Sequence, residues 1–178
     1  MSELRTNRIV PRDGLPSGSA GGIIQVVSVT KTNATYESVS EGSFSGIVPG
    51  LTPTRSDSKM LVMYNGCAGV ESTNRFGHLR VVRVIGGTTN TTIYVGDQGE
   101  SNQARTSSSF SCSQSYMLNQ FSGTFMDAPA TTSPVTYKMQ IAAGDQGYKV
   151  NVGRDDGNSN EFSRARTPTS ITVMEISG

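Results

Sequence analysis

From residue 23 the chain is built of short runs in which apolar and polar side chains alternate, interrupted by Gly, Asn, Asp, Ser and Pro. A period of two places successive side chains on opposite faces of an extended backbone, so these runs read as half-buried strands. Nine strands are expected: Ile23 to Lys31, Ala34 to Val39, Lys59 to Val70, Gly77 to Ile85, Thr91 to Val95, Ser115 to Met126, Pro134 to Ala143, Tyr148 to Val152 and Ser170 to Ser177. Many short strands separated by turn residues predict an all-β sandwich or barrel.

Two runs, MLVMY at 60 to 64 and ITVMEI at 171 to 176, are apolar at consecutive positions. Such strands belong in the middle of a sheet, covered by the facing sheet on one side and by a loop or another subunit on the other. A final strand inside the core suits a jelly roll, in which first and last strands lie side by side. Glu175, between Met174 and Ile176, is expected at a sandwich edge or a subunit interface. Tyr137, Met139 and Ile141 alternate with polar neighbours, as do Tyr148, Val150 and Val152. The link Gly144-Asp145-Gln146-Gly147 offers positive φ at both ends, so the two runs are expected to form a hairpin.

Composition reinforces the β reading. Among 178 residues there are 20 glycines, and charged residues make up only 16%, against about a quarter in ordinary domains. Ser, Thr, Asn and Gln replace the missing charge, and the first three compete with the backbone inside a helix. The formal net charge is +1 and no Lys/Arg cluster interleaves with aromatics, so no nucleic-acid partner is indicated. No run approaches the roughly 18 apolar residues of a membrane span, which argues against membrane insertion. The opening residues lack the apolar core of a signal peptide, which suits assembly in a cytoplasm and release by lysis.

Residues 1 to 22, with two prolines and a Gly/Ser run, cannot bury a core of their own, so one β domain at 23 to 178 is expected behind an extended N-terminal arm. The arm reads either as a disordered leader or as a docking element. In the second reading Leu4, Ile9, Val10 and Leu15 are spaced apolar anchors, and Arg5, Arg8 and Arg12 pair with carboxylates on a partner.

Catalytic equipment is sparse. The lone histidine, His78, is expected at the surface or at a strand edge. Cys67 and Cys112 have neither CxxC spacing nor His partners, and read as two buried thiols or one disulfide. Glycan cleavage would need two flanking carboxylates. The close sets, Asp97 with Glu100 and Asp155 with Asp156, lie in Gly-rich loops where Asp ordinarily caps a turn. Asp156, Asn158 and Asn160 stand at the alternating positions that open a calcium loop, but Glu161 sits where that loop requires Gly and Thr167 where it requires Glu. No metal or cofactor is therefore expected, and the chain is not expected to be an enzyme. Without Trp, a broad shallow adhesive surface is favoured over an aromatic cleft. Asp155, Asp156, Asn158 and Asn160 are the candidate receptor or glycan loop.

Four stretches carry a family resemblance: LRTNRIVPRDGLPSGSAGGIIQVV, DSKMLVMYNGCAGV, FMDAPATTSPVTYKMQI and TSITVMEISG. Together they resemble virion structural proteins of tailed phages infecting marine bacteria, cyanobacteria among them, in which a similar peptide leads into a tail-fibre-like β sandwich. The terminal part also resembles a jelly roll of the complement and tumour-necrosis-factor type, which implies a homotrimer. The resemblance implies a virion location and a tail-fibre or appendage-type adhesin that docks by its arm to other virion proteins and presents loops to a host surface glycan. A capsid decoration or head-fibre protein is the alternative within that class, and a glycan depolymerase the alternative outside it.

Overall fold

The computed structural model describes residues 22–33, 35–38, 42–43, 48–100, 103–144, 147–156 and 160–178, with the side chains of 35–38 and 42–43 left aside. The seven arm positions named above lie outside these residues. Among the described residues twelve strands run β1 (Ile23–Lys31), β2 (Thr35–Ser38), β3 (Gly42–Ser43), β4 (Gly50–Leu51), β5 (Lys59–Val70), β6 (Arg75–Ile85), β7 (Thr89–Ile93), β8 (Ser108–Cys112), β9 (Asn119–Asp127), β10 (Val135–Ala143), β11 (Lys149–Val152) and β12 (Thr169–Ile176). All pairings between them are antiparallel.

The first sheet contains β1, β12, β5 and β9 as consecutive neighbours, and the second contains β4, β10, β6 and β7. Number those eight in chain order. The first sheet is then first, eighth, third and sixth, and the second is second, seventh, fourth and fifth. This is the jelly-roll order, a long hairpin rolled up so that its two halves pair strand by strand. The short strands extend it: β11 continues along β5 where β12 stops and β2 adds outside β11, β3 adds to β10, and β8 takes the edge of β6 that β7 leaves free.

Alternation fills the interior as the sequence predicts. Met60, Val62, Tyr64, Ala68 and Val70 of β5 face Leu79 and Val81 of β6 and Val135, Tyr137, Met139 and Ile141 of β10 within one buried cluster. Three cross-strand pairs set an aromatic ring over a glycine: Phe121 over Gly66, Tyr64 over Gly123 and Phe110 over Gly77. A Cβ at Gly66 or Gly123 would come within 2.6 or 2.5 Å of the opposing ring. Glycine weakens a strand on its own, so its presence here reflects the room a ring needs. The sheets are also tied by charge, since Asp127 of β9 accepts from Arg83 at 2.7 Å and from the Tyr137 hydroxyl at 2.8 Å. Burial, with Asp127 beside it, pushes the Tyr137 phenol far above its ordinary pKa and keeps it a donor.

Several expectations are corrected. The two runs at 137–143 and 148–152 do not form a hairpin: β10 pairs with β6 in the second sheet, and β11 with β5 and β2 in the first. Both runs alternate because both face the same core from opposite sheets, and alternation does not say which sheet a strand joins. The β9 strand begins at Asn119 rather than at residue 115, because residues 114–117 form a turn closed by the Met117 amide on the Gln114 carbonyl. Glu175 points inward, on the same face as Ile171 and Val173, and is 0% exposed. Its carboxylate accepts from the Thr54 amide and hydroxyl, both at 2.7 Å, and from Gln25 Nε2 at 2.6 Å. The run at 60–64 is central as expected, between β12 and β9.

Candidate functional site

A cleft of about 540 Å³ lies on the outer face of the second sheet. Register builds its floor: His78 of β6 lies between Ser109 of β8 and Ala142 of β10, and one step along Arg80 is paired with Gln140. Gln103, Ala104 and Thr106 supply the wall from the β7–β8 connection.

That wall is held by its own hydrogen bonds. Arg80 Nε donates to the Arg105 carbonyl at 2.9 Å, Arg105 Nε donates to the Gly96 carbonyl at 3.0 Å, and the Gly96 amide reaches Thr106 O at 3.3 Å. Ser107 then sutures the gap in the edge of β6. Its amide donates to the Leu79 carbonyl at 2.7 Å and its hydroxyl accepts from the Val81 amide at 3.0 Å. His78 is half-buried at the surface, facing the cleft from the outer side of β6, an interior rather than an edge strand. The described lining offers amides, hydroxyls, one imidazole and one guanidinium, and no Asp or Glu. Such a set offers hydrogen-bond donors and acceptors to a polar ligand, and the described lining holds no carboxylate pair of the kind glycoside cleavage uses.

The two carboxylate sets are on opposite sides of the sandwich. Asp97 and Glu100 are exposed in the β7–β8 connection, where the Gln103 amide donates to the Glu100 carbonyl at 2.9 Å in a turn. Asp155 and Asp156 lie in the β11–β12 connection, folded against the outer face of the first sheet beside Gly69 and Ser115. Asp155 is 2% exposed and accepts from Arg164 at 3.3 Å, and the Arg164 guanidinium lies 5.5 Å from the Tyr116 ring centroid. Asp156 is half-buried and accepts from Asn151 Nδ2 at 3.3 Å. Asn160 is exposed, and Asn158 lies outside the described residues. Of the candidate loop, then, Asp155 shapes the connection while Asp156 and Asn160 reach solvent.

Cys67 and Cys112 are free thiols. Cys112 projects into the core, whereas Cys67 sits with Leu61, Met63 and Asn65 on the outward-facing positions of β5. Asn119 Nδ2 donates to the Cys112 sulfur at 3.2 Å. Among the described residues no three His, Cys, Asp or Glu side chains gather as a metal site.

No protein-family model matches this chain, and no curated protein sequence matches it. Among solved structures, those of the Gt and Gx strains of infectious bursal disease virus align over 97% and 98% of this chain at 9% and 11% identity, with TM-scores of 0.48 and 0.46. A mutant VP2 protein of the same virus aligns over 98% at 11% identity, with a TM-score of 0.39. The chain spans 44% of the length of each. Its fold rests on the strand order above.

The cleft escaped sequence reasoning because its residues are far apart in the chain and only strand register unites them. The signal in the sequence was the polar pair His78 and Arg80, two residues apart on one face of a strand whose other face is apolar.

Proposed function

We propose that the chain is a virion structural protein of a tailed phage, an appendage-type adhesin whose N-terminal arm joins the domain to the particle and whose β domain meets the host surface. The observation that carries this reading is the jelly-roll strand order, an architecture recurrent in viral capsid and lectin domains. The sequence resemblance supports the particle side of the proposal. The cleft over His78, Arg80, Ser109 and Gln140 suits weak hydrogen bonding to glycan hydroxyls, and so, on the opposite side of the sandwich, does the loop that presents Asp156 and Asn160. In a homotrimer three such weak sites would act together, with a repetitive surface polysaccharide multiplying their affinity.

The test is antibody-gold labelling of intact particles together with removal of residues 1–20. The expected result is label on the tail or its appendages and loss of particle incorporation on truncation. Label on the head would replace the adhesin with a decoration protein, and particles without label would refute a virion role altogether.

A further inference from the structure

The outward-facing side of the first sheet is covered at one end and open at the other. The β11–β12 connection lies over the covered end, where a Cβ on Gly69 would stand 3.5 Å from Asp155 Cα and the Asp156 amide donates to the Ser115 carbonyl. At the open end a single row crosses all four strands, with Val26 of β1, Met174 of β12, Leu61 of β5 and Met126 of β9 as successive cross-strand partners. Val26 is 52% exposed and Met126 50%, so both ends of the row face solvent. Ile24 and Ile176 border the row on one side and Met63 on the other. The result is a contiguous, methionine-bearing patch of the kind that marks a contact surface.

Charge and area say what fits it. From the Ile176–Lys59 pair to the Ser170–Asn65 pair, Lys59 at the start of β5 carries the one charge among the described outward positions, and the rest are apolar, Ser, Thr or Asn. The outer face of the second sheet, by contrast, carries Arg80 and Lys138. A different partner is ordinarily matched by charges of opposite sign, whereas a face that meets itself sets each of its charges against its own kind, at a cost of several kcal/mol. Near-neutrality is what self-pairing requires. Four strands and four rows at ordinary spacing span roughly 19 by 27 Å, or about 500 Å² per copy. A pair of such faces buries about 1,000 Å², which reaches the lower bound of specific interfaces and falls short of the roughly 1,600 Å² of a standard one. The contact is therefore reversible.

We infer that copies of this chain associate through the open end of this face, the apolar row of one copy packing on the same face of another. An interface of this size is expected to hold with a Kd of about 10 µM. The inference goes beyond the reading above, which leaves the contact between copies unassigned, and it stands whether or not the chain belongs to a virion. Burying Val26, Leu61, Met126 and Met174 against their like removes from water the apolar side chains that β5 and β12 turn away from the core.

Sedimentation velocity of the full chain from about 1 to about 100 µM, which brackets that Kd, tests the contact. The native chain is compared with Val26→Lys and Met126→Lys, which put a charge at either end of the row, and with Ser111→Lys on the exposed side of β8 in the other sheet. The native chain and Ser111→Lys are expected to be mainly monomeric at the low concentration and mainly associated at the high one, while both row variants associate at least about ten-fold more weakly. A native chain that stays monomeric throughout, or association that survives in both row variants, would overturn the inference. Hydrogen-peroxide oxidation of the native chain, read by mass spectrometry at each methionine, needs no variant. Met126 is expected to oxidise about four-fold more slowly at the high concentration, following from the Kd above, with the buried Met60 and Met139 protected at both. A Met126 rate independent of concentration would overturn the inference equally.

Discussion

Replacing Glu175 by Gln probes the most demanding polar group in the interior. The carboxylate is fully buried on the inward face of β12, and three hydrogen bonds of 2.6 to 2.7 Å converge on it. Burial alone would push this carboxyl up, but donation from the Thr54 amide and hydroxyl and from Gln25, with the Ser58 hydroxyl alongside, outweighs it and holds the group below the usual glutamate range. A glutamine keeps the shape but presents an NH2 to a donor. Gln25 cannot simply turn to accept, because its Nε2 also donates to the Thr52 carbonyl at 2.8 Å. Hydrogen bonds to a charged group contribute about 1.5 to 3 kcal/mol each. Weakening three and setting two donors against each other therefore costs about 3 kcal/mol, or roughly 10 °C in Tm for a domain of this size. The pH dependence has a definite sign. A carboxyl whose folded pKa is depressed contributes its stability fully above the unfolded value, about 4.3, and loses it as pH falls through the folded value. Urea titrations of both proteins from pH 7 to pH 2.5 are expected to show a gap of about 3 kcal/mol that narrows below about pH 4. A gap that is absent at pH 7, or unchanged at pH 2.5, would refute the reasoning.

Other sites make separate demands. Asp127→Ala strands Arg83 and the Tyr137 hydroxyl between the sheets and should cost about 3 to 5 kcal/mol, with Asp127→Asn recovering part of it in the same denaturation assay. Among the described residues the buried Tyr64 hydroxyl has no hydrogen-bond partner, and burial with Tyr94 nearby raises its pKa to about 12. Tyr64→Phe should therefore leave stability equal or raise it by about 1 kcal/mol, and a loss of that size would reveal a missed partner. Gly77→Ala drives a methyl into the Phe110 ring and should cost at least about 1 to 3 kcal/mol. Phe110→Leu in the same chain should return part of that, a coupling that a double-mutant cycle measures directly.

Much of the fold was legible because alternation is a local property. The strands at 23–31 and 59–70 coincide with β1 and β5, and β6 and β12 differ from expectation by a residue or two at their ends. The missed strands lacked the pattern. β4 is two residues long, and β8, with the sequence SSFSC, shows only Phe110 and Cys112 to the core. The hairpin expected at 137–152 failed for a deeper reason. A turn-forming link is compatible both with strands that pair and with strands that part to opposite sheets, and the choice is made by β6 and β5, which offer longer partners. Glu175 misled for a related reason: a charge amid apolar residues suggests the outside, yet Thr54 and Gln25 make an inward carboxylate tolerable.

The cleft was not legible for the same reason that it is well placed. In a pleated sheet each inward residue fixes the direction of its neighbours, so the side chains that pack the core also aim those that line the outer face. Gly77 and Leu79 point inward, which sends His78 and Arg80 outward; Phe110 inward sends Ser109 outward; Ile141 inward sends Gln140 and Ala142 outward. The floor of the cleft is therefore the reverse side of the Phe110–Gly77 contact. A substitution that unseats that ring must shift the Ser109–His78 pair behind it, so the shape of the cleft and the packing of the core are coupled through one backbone segment.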